Sequence, residues 1–145
     1  MKRGFTILEL LITVVIMALL SSLVLWSGGR LRERAVVKAT TQEIASDISK
    51  AQSQAQSGLN GNAYGIRVLA TSTVLFLGAS FSPVNVIKTY VTPANISLSI
   101  SPTGDLVFSR LTGQLVSATT VVITVTGTAT IKQISINPNG AISVQ

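Results

Sequence analysis

The sequence lacks cysteine and histidine altogether and has few carboxylates. Without cysteine, the 145-residue chain has neither a disulfide framework nor a thiolate metal site. Without histidine, it lacks the commonest general base and the commonest metal ligand. The acids are Glu9, Glu33, Glu43, Asp47 and Asp105. Because only Asp105 follows Leu59, the C-terminal part has no carboxylate pair for acid–base catalysis and no calcium cage. These absences predict a protein that is not an enzyme and that uses no metal or cofactor.

A long apolar run dominates the N-terminal part of the chain. From Phe5 to Trp26 the only charged residue is Glu9. About 20 apolar residues span the hydrocarbon core of a bilayer, so this segment predicts a transmembrane helix. A cleaved secretory signal is the alternative, but the residues that follow the run fit a small-residue cleavage site poorly. A carboxylate at the centre of such a helix costs about 2.5–3.5 kcal/mol, so Glu9 indicates a partner that only assembly supplies.

The charges that flank this segment give conflicting signals about its orientation. Lys2 and Arg3 precede it, whereas four cations follow it: Arg30, Arg32, Arg34 and Lys38. Because cytoplasmic flanks carry the excess of Lys and Arg, the count alone places the C-terminal side in the cytoplasm. The family resemblance described next implies the opposite orientation, with the C-terminal part exported.

The most specific motif of the chain lies at residues 2–11, which read KRGFTILELL. A short basic leader ends in glycine, and phenylalanine, a small polar residue, two aliphatic residues and glutamate follow. This pattern closely resembles the processing site of type IV prepilins and type II secretion pseudopilins. The resemblance implies that a prepilin peptidase removes the leader, residues 1–4, by cleaving between Gly4 and Phe5, and that it methylates Phe5. It also implies that Glu9 meets the N-terminal amine of a neighbouring subunit during filament assembly.

A second helical segment, residues 27–58, continues beyond the apolar run. Gly28 and Gly29 each weaken a helix by about 1 kcal/mol relative to alanine, and both a kink and an uninterrupted helix are open at this point. From Leu31 to Ser57, steps of three and four residues predict one narrow buried stripe. Its members are Val37, Thr41, Ile44, Ile48, Ala51 and Ala55. Gly58 is a stop signal for the helix.

Arg30, Arg34 and Lys38 form a row of like charges at positions i, i+4 and i+8. A place beside lipid headgroups is the simpler interpretation, because such side chains reach towards the membrane interface. Contact with acidic groups of neighbouring subunits is the functional alternative.

Residues 59–145 predict an antiparallel β-sheet head. Short runs of β-branched residues alternate with turn residues, and Ile96, Leu98 and Ile100 alternate with serines. The expected strands are 64–70, 73–78, 85–91, 96–101, 106–109, 120–126, 130–136 and 141–144. The predicted fold class is therefore α+β, with a long helix that has a hydrophobic and an amphipathic half before the antiparallel sheet, and the resemblance implies that this arrangement is pilin-like.

The head carries a second and weaker likeness in Leu106–Ser109, Gly113, Val121–Val125, Ile134–Asn137 and Gly140. These residues resemble the GspH/FimT-type branch of pseudopilins. The resemblance implies a minor subunit at a filament tip, and some members of this branch in competence pili bind DNA. DNA or anion contact would require four cations to converge on one face of the head: Arg67, Lys88, Arg110 and Lys132.

Together these features predict a minor pilin or pseudopilin, a structural subunit of a type IV pilus or a type II secretion pseudopilus. Prepilin peptidase would process and methylate it in the bacterial cytoplasmic membrane, where lipid surrounds its single span. Other pilin or pseudopilin subunits would then join it through their N-terminal helices in a cell-surface or periplasmic filament. Two alternatives stay open: a DNA-binding minor pilin of a competence pilus, and a monomeric signal-anchored surface domain.

Overall fold

The computed structural model describes residues 6–145, and for residues 23–30 it describes the backbone alone. Gly4 and Phe5, the predicted cleavage and methylation sites, lie outside the described residues. The predicted apolar segment Phe5–Trp26 lies partly outside them. Within the described residues, no helix combines the length and the apolarity needed to cross a membrane.

One helix, α1, extends from Ile7 to Gln56 over 50 residues, or about 75 Å at 1.5 Å per residue. Thr6 caps its N-terminus, because the Thr6 side-chain oxygen accepts a hydrogen bond from the backbone N–H of Glu9 at 3.3 Å. Gly58 follows its C-terminal end with a φ of 64°, a conformation that glycine adopts without strain. The backbone is helical at Gly28 and Gly29, so the helix continues through both glycines.

The C-terminal half of α1 provides one wall of the hydrophobic core. All six residues of the predicted stripe are at most 1% exposed: Val37, Thr41, Ile44, Ile48, Ala51 and Ala55. Steps of three and four residues keep these side chains on one face of a helix with 3.6 residues per turn. The predicted buried stripe is therefore confirmed.

Eight strands form two four-stranded antiparallel sheets that pack on α1. In chain order the strands are β1 (Tyr64–Leu69), β2 (Ser72–Leu77), β3 (Val86–Val91), β4 (Ser97–Ser101), β5 (Leu106–Phe108), β6 (Val121–Thr126), β7 (Ile131–Ile136) and β8 (Ile142–Val144). The first sheet has the order β3-β2-β1-β5, and the second has the order β4-β6-β7-β8. All eight predicted strands are present, and the α+β fold with a long helix and an antiparallel head is confirmed.

The chain passes from the first sheet to the second between β3 and β4, a division that the sequence pattern does not predict. The backbone N–H and the hydroxyl of Thr92 both donate to the carbonyl oxygen of Thr71, at 2.9 and 3.0 Å. The backbone N–H of Leu98 donates to the carbonyl oxygen of Ala70 at 2.8 Å. The Thr92 bonds hold the end of β3 to the β1–β2 turn, and the Leu98 bond ties that turn to β4 of the second sheet. The chain then returns to the first sheet for β5 and enters the second again at β6.

We expect Ile48→Ala to destabilise the head strongly. Ile48 is fully buried between α1 and the sheets, and truncation of such a side chain to alanine costs about 2–5 kcal/mol. The measurement is urea unfolding of a fragment that spans residues 31–145, which keeps every residue of the core. Val36→Ala is the matched control on the same helix, because Val36 is exposed and its truncation should change the free energy of unfolding by about 0.5 kcal/mol or less. Equal losses in the two variants would contradict the role of α1 in the core.

Candidate assembly interface

The N-terminal part of α1 exposes apolar side chains on every side. The following residues are between 48% and 87% exposed: Ile7, Leu8, Leu10, Leu11, Ile12, Val14, Val15, Ile16, Met17, Leu19 and Leu20. Monomeric soluble proteins rarely expose a contiguous apolar surface of this extent. This part of the helix is therefore an interaction surface that other apolar groups must cover.

Polar side chains within this region satisfy their own hydrogen-bonding groups. The hydroxyls of Thr13, Ser21 and Ser22 donate to backbone carbonyls of the preceding helical turn at 2.7–2.8 Å. Such local bonds let hydroxyls enter apolar surroundings without an outside partner. The region thus presents an apolar surface in spite of its Ser and Thr residues.

Glu9 carries the only charge among residues 6–22. It lies in the first turn of α1, where the positive end of the helix dipole favours an anion. Its side chain is exposed, and the ion pairs of the described residues do not include it. Because an unpaired charge is costly in apolar surroundings, covering this surface creates a need for a cation near Glu9.

Arg67 and Asp105 form a two-point ion pair on the first sheet. Arg67 Nε donates to Asp105 Oδ1 at 2.6 Å, and Nη2 donates to Oδ2 at 2.8 Å. These hydrogen bonds to the carboxylate raise the pKa of the Arg67 guanidinium above its ordinary value. The guanidinium carbon also lies 4.1 Å from the centre of the Phe81 ring, in a cation–π arrangement. The Arg67 side chain is therefore held by contacts within the head.

Lys88 links the edge strand β3 to α1. Its Nζ donates to Asp47 Oδ1 and Oδ2 at 2.7 and 2.9 Å, and to Glu43 Oε1 at 2.8 Å. The hydrogen bond to Asp47, followed by the one to Glu43, raises the pKa of the Lys88 ammonium. The Asp47 side chain is only 8% exposed, so the Lys88 charge offsets the cost of burying that carboxylate. Among the described residues, no group of three or more His, Cys, Asp or Glu side chains is arranged to hold a metal ion.

Arg67 and Lys88 lie on opposite faces of the first sheet. Arg67 pairs across strands with Val74, whereas Lys88 pairs with Leu75. Val74 and Leu75 are consecutive residues of β2, and consecutive side chains of a strand point to opposite faces. These two cations of the predicted DNA-contact set therefore do not converge.

Arg110 and Lys132 occupy two further separate places. Arg110 is exposed in the loop after β5, whereas Lys132 lies on β7 of the second sheet, opposite Val125. The four cations are thus spread over two sheets and a loop, and the structure does not form the shared face that the sequence argument required. DNA binding by this set stays a prediction.

We expect Arg67→Gln to lower the stability of the head without weakening DNA binding. The substitution leaves the Asp105 carboxylate without its two charged hydrogen bonds, so the midpoint of urea unfolding should fall. A phosphate contact would instead weaken duplex binding and reduce the salt slope by about 1. Both quantities are measured on the fragment 31–145, with Lys50→Gln as control, because Lys50 is exposed and lies outside the predicted DNA-contact set. A reduced salt slope with unchanged stability would support the DNA-binding alternative.

We expect Lys88→Met to lower stability at neutral pH and to have a diminishing effect at alkaline pH. The folded state raises the pKa of Lys88 above its ordinary value of about 10.4, so this state binds the proton more tightly than the unfolded chain does. The stabilisation is complete below the ordinary pKa and is lost as the pH rises through the raised pKa of the folded state. Urea unfolding from about pH 7 to about pH 11.5 measures the difference between wild type and variant. Lys50→Met is the control, and a difference that stays constant over this range would contradict the assignment.

Gly113 and Gly140 allow two loops of the head to approach α1 closely. The side-chain amide of Gln52 donates to the backbone carbonyls of Gly113 and Gly140 at 3.1 and 2.9 Å. Both glycines have positive φ angles, of 65° and 86°. A Cβ atom at Gly140 would collide with the Gln52 amide, and one at Gly113 would collide with Gln56. Gly113 and Gly140 stand out in the sequence only through the likeness to a branch of pseudopilins. Nothing in the helical pattern separates Gln52 from the other polar residues outside the buried stripe, so its contacts with the loops are not predicted.

The exposed apolar half of α1 carries one acid in its first turn, and the sheet head is built on the other half. This is the arrangement of a pilin-like fold. Residues 1–25 match the family model of the prokaryotic N-terminal methylation motif. The fold is similar to that of the type IV minor pilin FimU of Pseudomonas aeruginosa PAO1, with a TM-score of 0.66 and 19% identity over 79% of this chain and 92% of that chain. A second crystal form of FimU gives a TM-score of 0.63 with 18% identity over 74% of this chain and 91% of that chain.

The fold is also similar to that of the minor pseudopilin EpsH of the Vibrio cholerae type 2 secretion system. The TM-score is 0.57, with 12% identity over 76% of this chain and 96% of that chain. No curated protein matches the chain by sequence. The motif and the fold together confirm the predicted resemblance to the type IV pilin and pseudopilin superfamily.

Proposed function

We propose that this protein is a structural subunit, a minor pilin or pseudopilin, of a type IV pilus or a type II secretion pseudopilus. The observation that carries the proposal is the division of α1 into a half that the head buries and an apolar half that it leaves exposed. N-terminal helices of other subunits cover the exposed half in a filament, and lipid covers it beforehand. The methylation-motif match and the fold shared with a minor pilin and a minor pseudopilin support the same role.

Processing prepares the N-terminus for this role. Prepilin peptidase cleaves between Gly4 and Phe5 and methylates Phe5, while the subunit is held in the bacterial cytoplasmic membrane as a single-pass protein with its head exported. Cleavage removes Lys2 and Arg3 with the leader. The amine of Phe5 then becomes the only cation at this end of the helix.

Glu9 and the Phe5 amine of a neighbouring subunit form the charge pair that favours assembly. Two opposite unit charges 4 Å apart attract by about 1 kcal/mol in water and by about 4 kcal/mol at an effective dielectric constant of 20. The pairing is therefore strongest where packed helices exclude water. Lipid chains offer the Glu9 carboxylate no cation, so the filament is favoured over the membrane-held subunit. A monomeric signal-anchored domain would leave Glu9 without a partner.

We expect Glu9→Gln to be processed normally and to enter filaments about tenfold less than wild type, as the loss of about 1.4 kcal/mol of pairing energy would produce. The amide keeps the size of the side chain and removes the charge, so the pair with the neighbouring amine is lost while the cleavage site is unchanged. Mass spectrometry of the N-terminal peptide measures cleavage and methylation, and the sheared filament fraction measures incorporation. Thr13→Val is the matched control, because the Thr13 hydroxyl bonds only to the carbonyl of Leu10 within the same helix.

In the same assays, Gly4→Ala tests leader cleavage, whereas Glu9→Gln tests incorporation into filaments. It should block cleavage and so retain Lys2 and Arg3 on the protein. Normal cleavage of Gly4→Ala would contradict the prepilin assignment. Normal incorporation of Glu9→Gln would contradict the role of Glu9 alone.

A further inference from the structure

Three cations lie where α1 leaves the head, and the head does not pair them. Arg32, Arg34 and Lys38, here called the cationic collar, are exposed, and the ion pairs among the described residues involve other cations. Glu33, within the collar, is engaged elsewhere, because its Oε1 accepts a hydrogen bond from the backbone N–H of Ala129 at 2.6 Å. The other carboxylates of the head bind Arg67 and Lys88. The region therefore carries net positive charge that an outside anion can neutralise.

The collar occupies two sides of α1, because Lys38 follows Arg34 by four residues and lies on its side. Residues i and i+2 of a helix differ in direction by about 200°, so Arg32 and Arg34 leave α1 on opposite sides. Arg32 lines a cavity of about 360 Å³ beside residues 93–96, whereas Arg34 lines one of about 250 Å³ beside Ala129 and Thr130. A docked protein contacts one side of a helix. A membrane that a helix enters end-on surrounds it on all sides.

The distance of the collar from Glu9 along the axis of α1 is close to the distance from one edge of the hydrocarbon core to the headgroups of the opposite leaflet. Arg32 and Lys38 follow Glu9 by 23 and 29 residues, which is about 35 and 44 Å along the helix. The hydrocarbon core of a bilayer is about 30 Å thick, and the headgroup regions extend the total to about 40–45 Å. With Glu9 at the cytoplasmic edge of the core, the opposite headgroup region begins at about 30 Å and ends at about 37 Å. Arg32 and Arg34, at about 35 and 38 Å, lie at its outer edge, and Lys38 lies about 6 Å beyond it, a distance that its long side chain can span.

The loops of the head beside the collar place no negative charge against this surface. Residues 93–96 read PANI and residues 127–130 read GTAT, so both loops are uncharged. Glu33, which lines both cavities, is the only carboxylate that phosphate groups meet among the described residues of this surface, against the three cations of the collar.

We propose that the cationic collar binds the phosphate groups of anionic phospholipids and holds the head against the membrane until the subunit enters the filament. This proposal rests on the membrane-held state of the proposed function. Each Lys or Arg near an anionic membrane surface strengthens attachment about fivefold, so three such residues strengthen it by about two orders of magnitude. Extraction of the subunit from the membrane then requires that these contacts be broken, which adds to the free energy of extraction.

The test measures how close the head of the full-length protein lies to the membrane. The chain has no cysteine, so Thr128→Cys, at the exposed β6–β7 turn, provides one site for a fluorophore. The labelled protein is reconstituted into vesicles of phosphatidylcholine alone or mixed with phosphatidylglycerol. Quenching by a headgroup-labelled nitroxide lipid gives the ratio of docked to undocked heads. We expect this ratio to rise by about two orders of magnitude with phosphatidylglycerol and to fall back at 1 M salt, where the Debye length shrinks to about 3 Å.

A charge-matched pair of variants shows whether the collar is responsible. Arg32→Gln/Arg34→Gln/Lys38→Gln should remove the phosphatidylglycerol dependence. Lys50→Gln/Arg110→Gln/Lys132→Gln removes the same number of charges elsewhere on the protein and should retain it. Equal loss in both variants would show a non-specific effect of net charge and overturn the proposal.

Alkaline extraction of the vesicles shows whether the protein is inserted in the membrane. This measurement distinguishes failure of the lipid-binding proposal from failure of the membrane-held state on which it rests. If the wild-type protein is not inserted in either lipid, the membrane-held state is wrong, and the lipid-binding proposal is overturned with it. If the protein is inserted but its head ignores phosphatidylglycerol, the lipid-binding proposal alone is wrong. If such a head ignores lipid charge while the collar variant fails to enter filaments, the collar contacts an acidic protein surface and not lipid.

Discussion

One helix of this protein has to suit two different surroundings, the sheets of the head along its C-terminal half and apolar groups outside the head along its N-terminal half. From Val37 to Ala55 one narrow face of α1 is buried, and both sheets pack against it. From Ile7 to Leu20 every side of the same helix is apolar and exposed. Because the backbone is helical throughout, the head and the apolar half belong to one continuous element. Whatever covers the apolar half therefore also positions the head.

Each of the four carboxylates after Glu9 has an identified hydrogen-bond or ion-pair partner within the head. Glu33 bonds to the β6–β7 turn, Asp47 and Glu43 to Lys88, and Asp105 to Arg67. Each of these pairs joins residues far apart in the chain, and three of the four carboxylates involved lie on α1. The Lys88 ion pairs fasten the first sheet to α1, and the Glu33 hydrogen bond fastens the second sheet to it, whereas the Arg67–Asp105 pair lies within the first sheet. The cations at residues 32–38 are among those that take no part in these pairs. Glu9, remote from the head, remains available for another molecule.

Features that depend on neighbouring residues could be predicted from the sequence. The eight strands, the buried stripe of α1 and its stop at Gly58 follow from periods of two and 3.6 residues and from turn chemistry. The motif at residues 2–11 is contiguous, so its resemblance could be seen without a fold. Contacts such as Gln52 with Gly113 and Gly140 could not be predicted, because the partners are 61 and 88 residues away.

Residue patterns alone are enough to predict an apolar and an amphipathic helical segment, the lone acid at Glu9 and an antiparallel head, whereas the structure shows that the two segments form one helix through Gly28 and Gly29. Only the tertiary structure decided that the strands divide into two sheets, that Arg67 and Lys88 face opposite ways, and that Arg32 and Arg34 are left without an internal anion. The difference lies in the distance along the chain over which each interaction acts. Periodicity and turn preference act over a few residues, whereas strand pairing and charge pairing depend on which distant segments fold against each other.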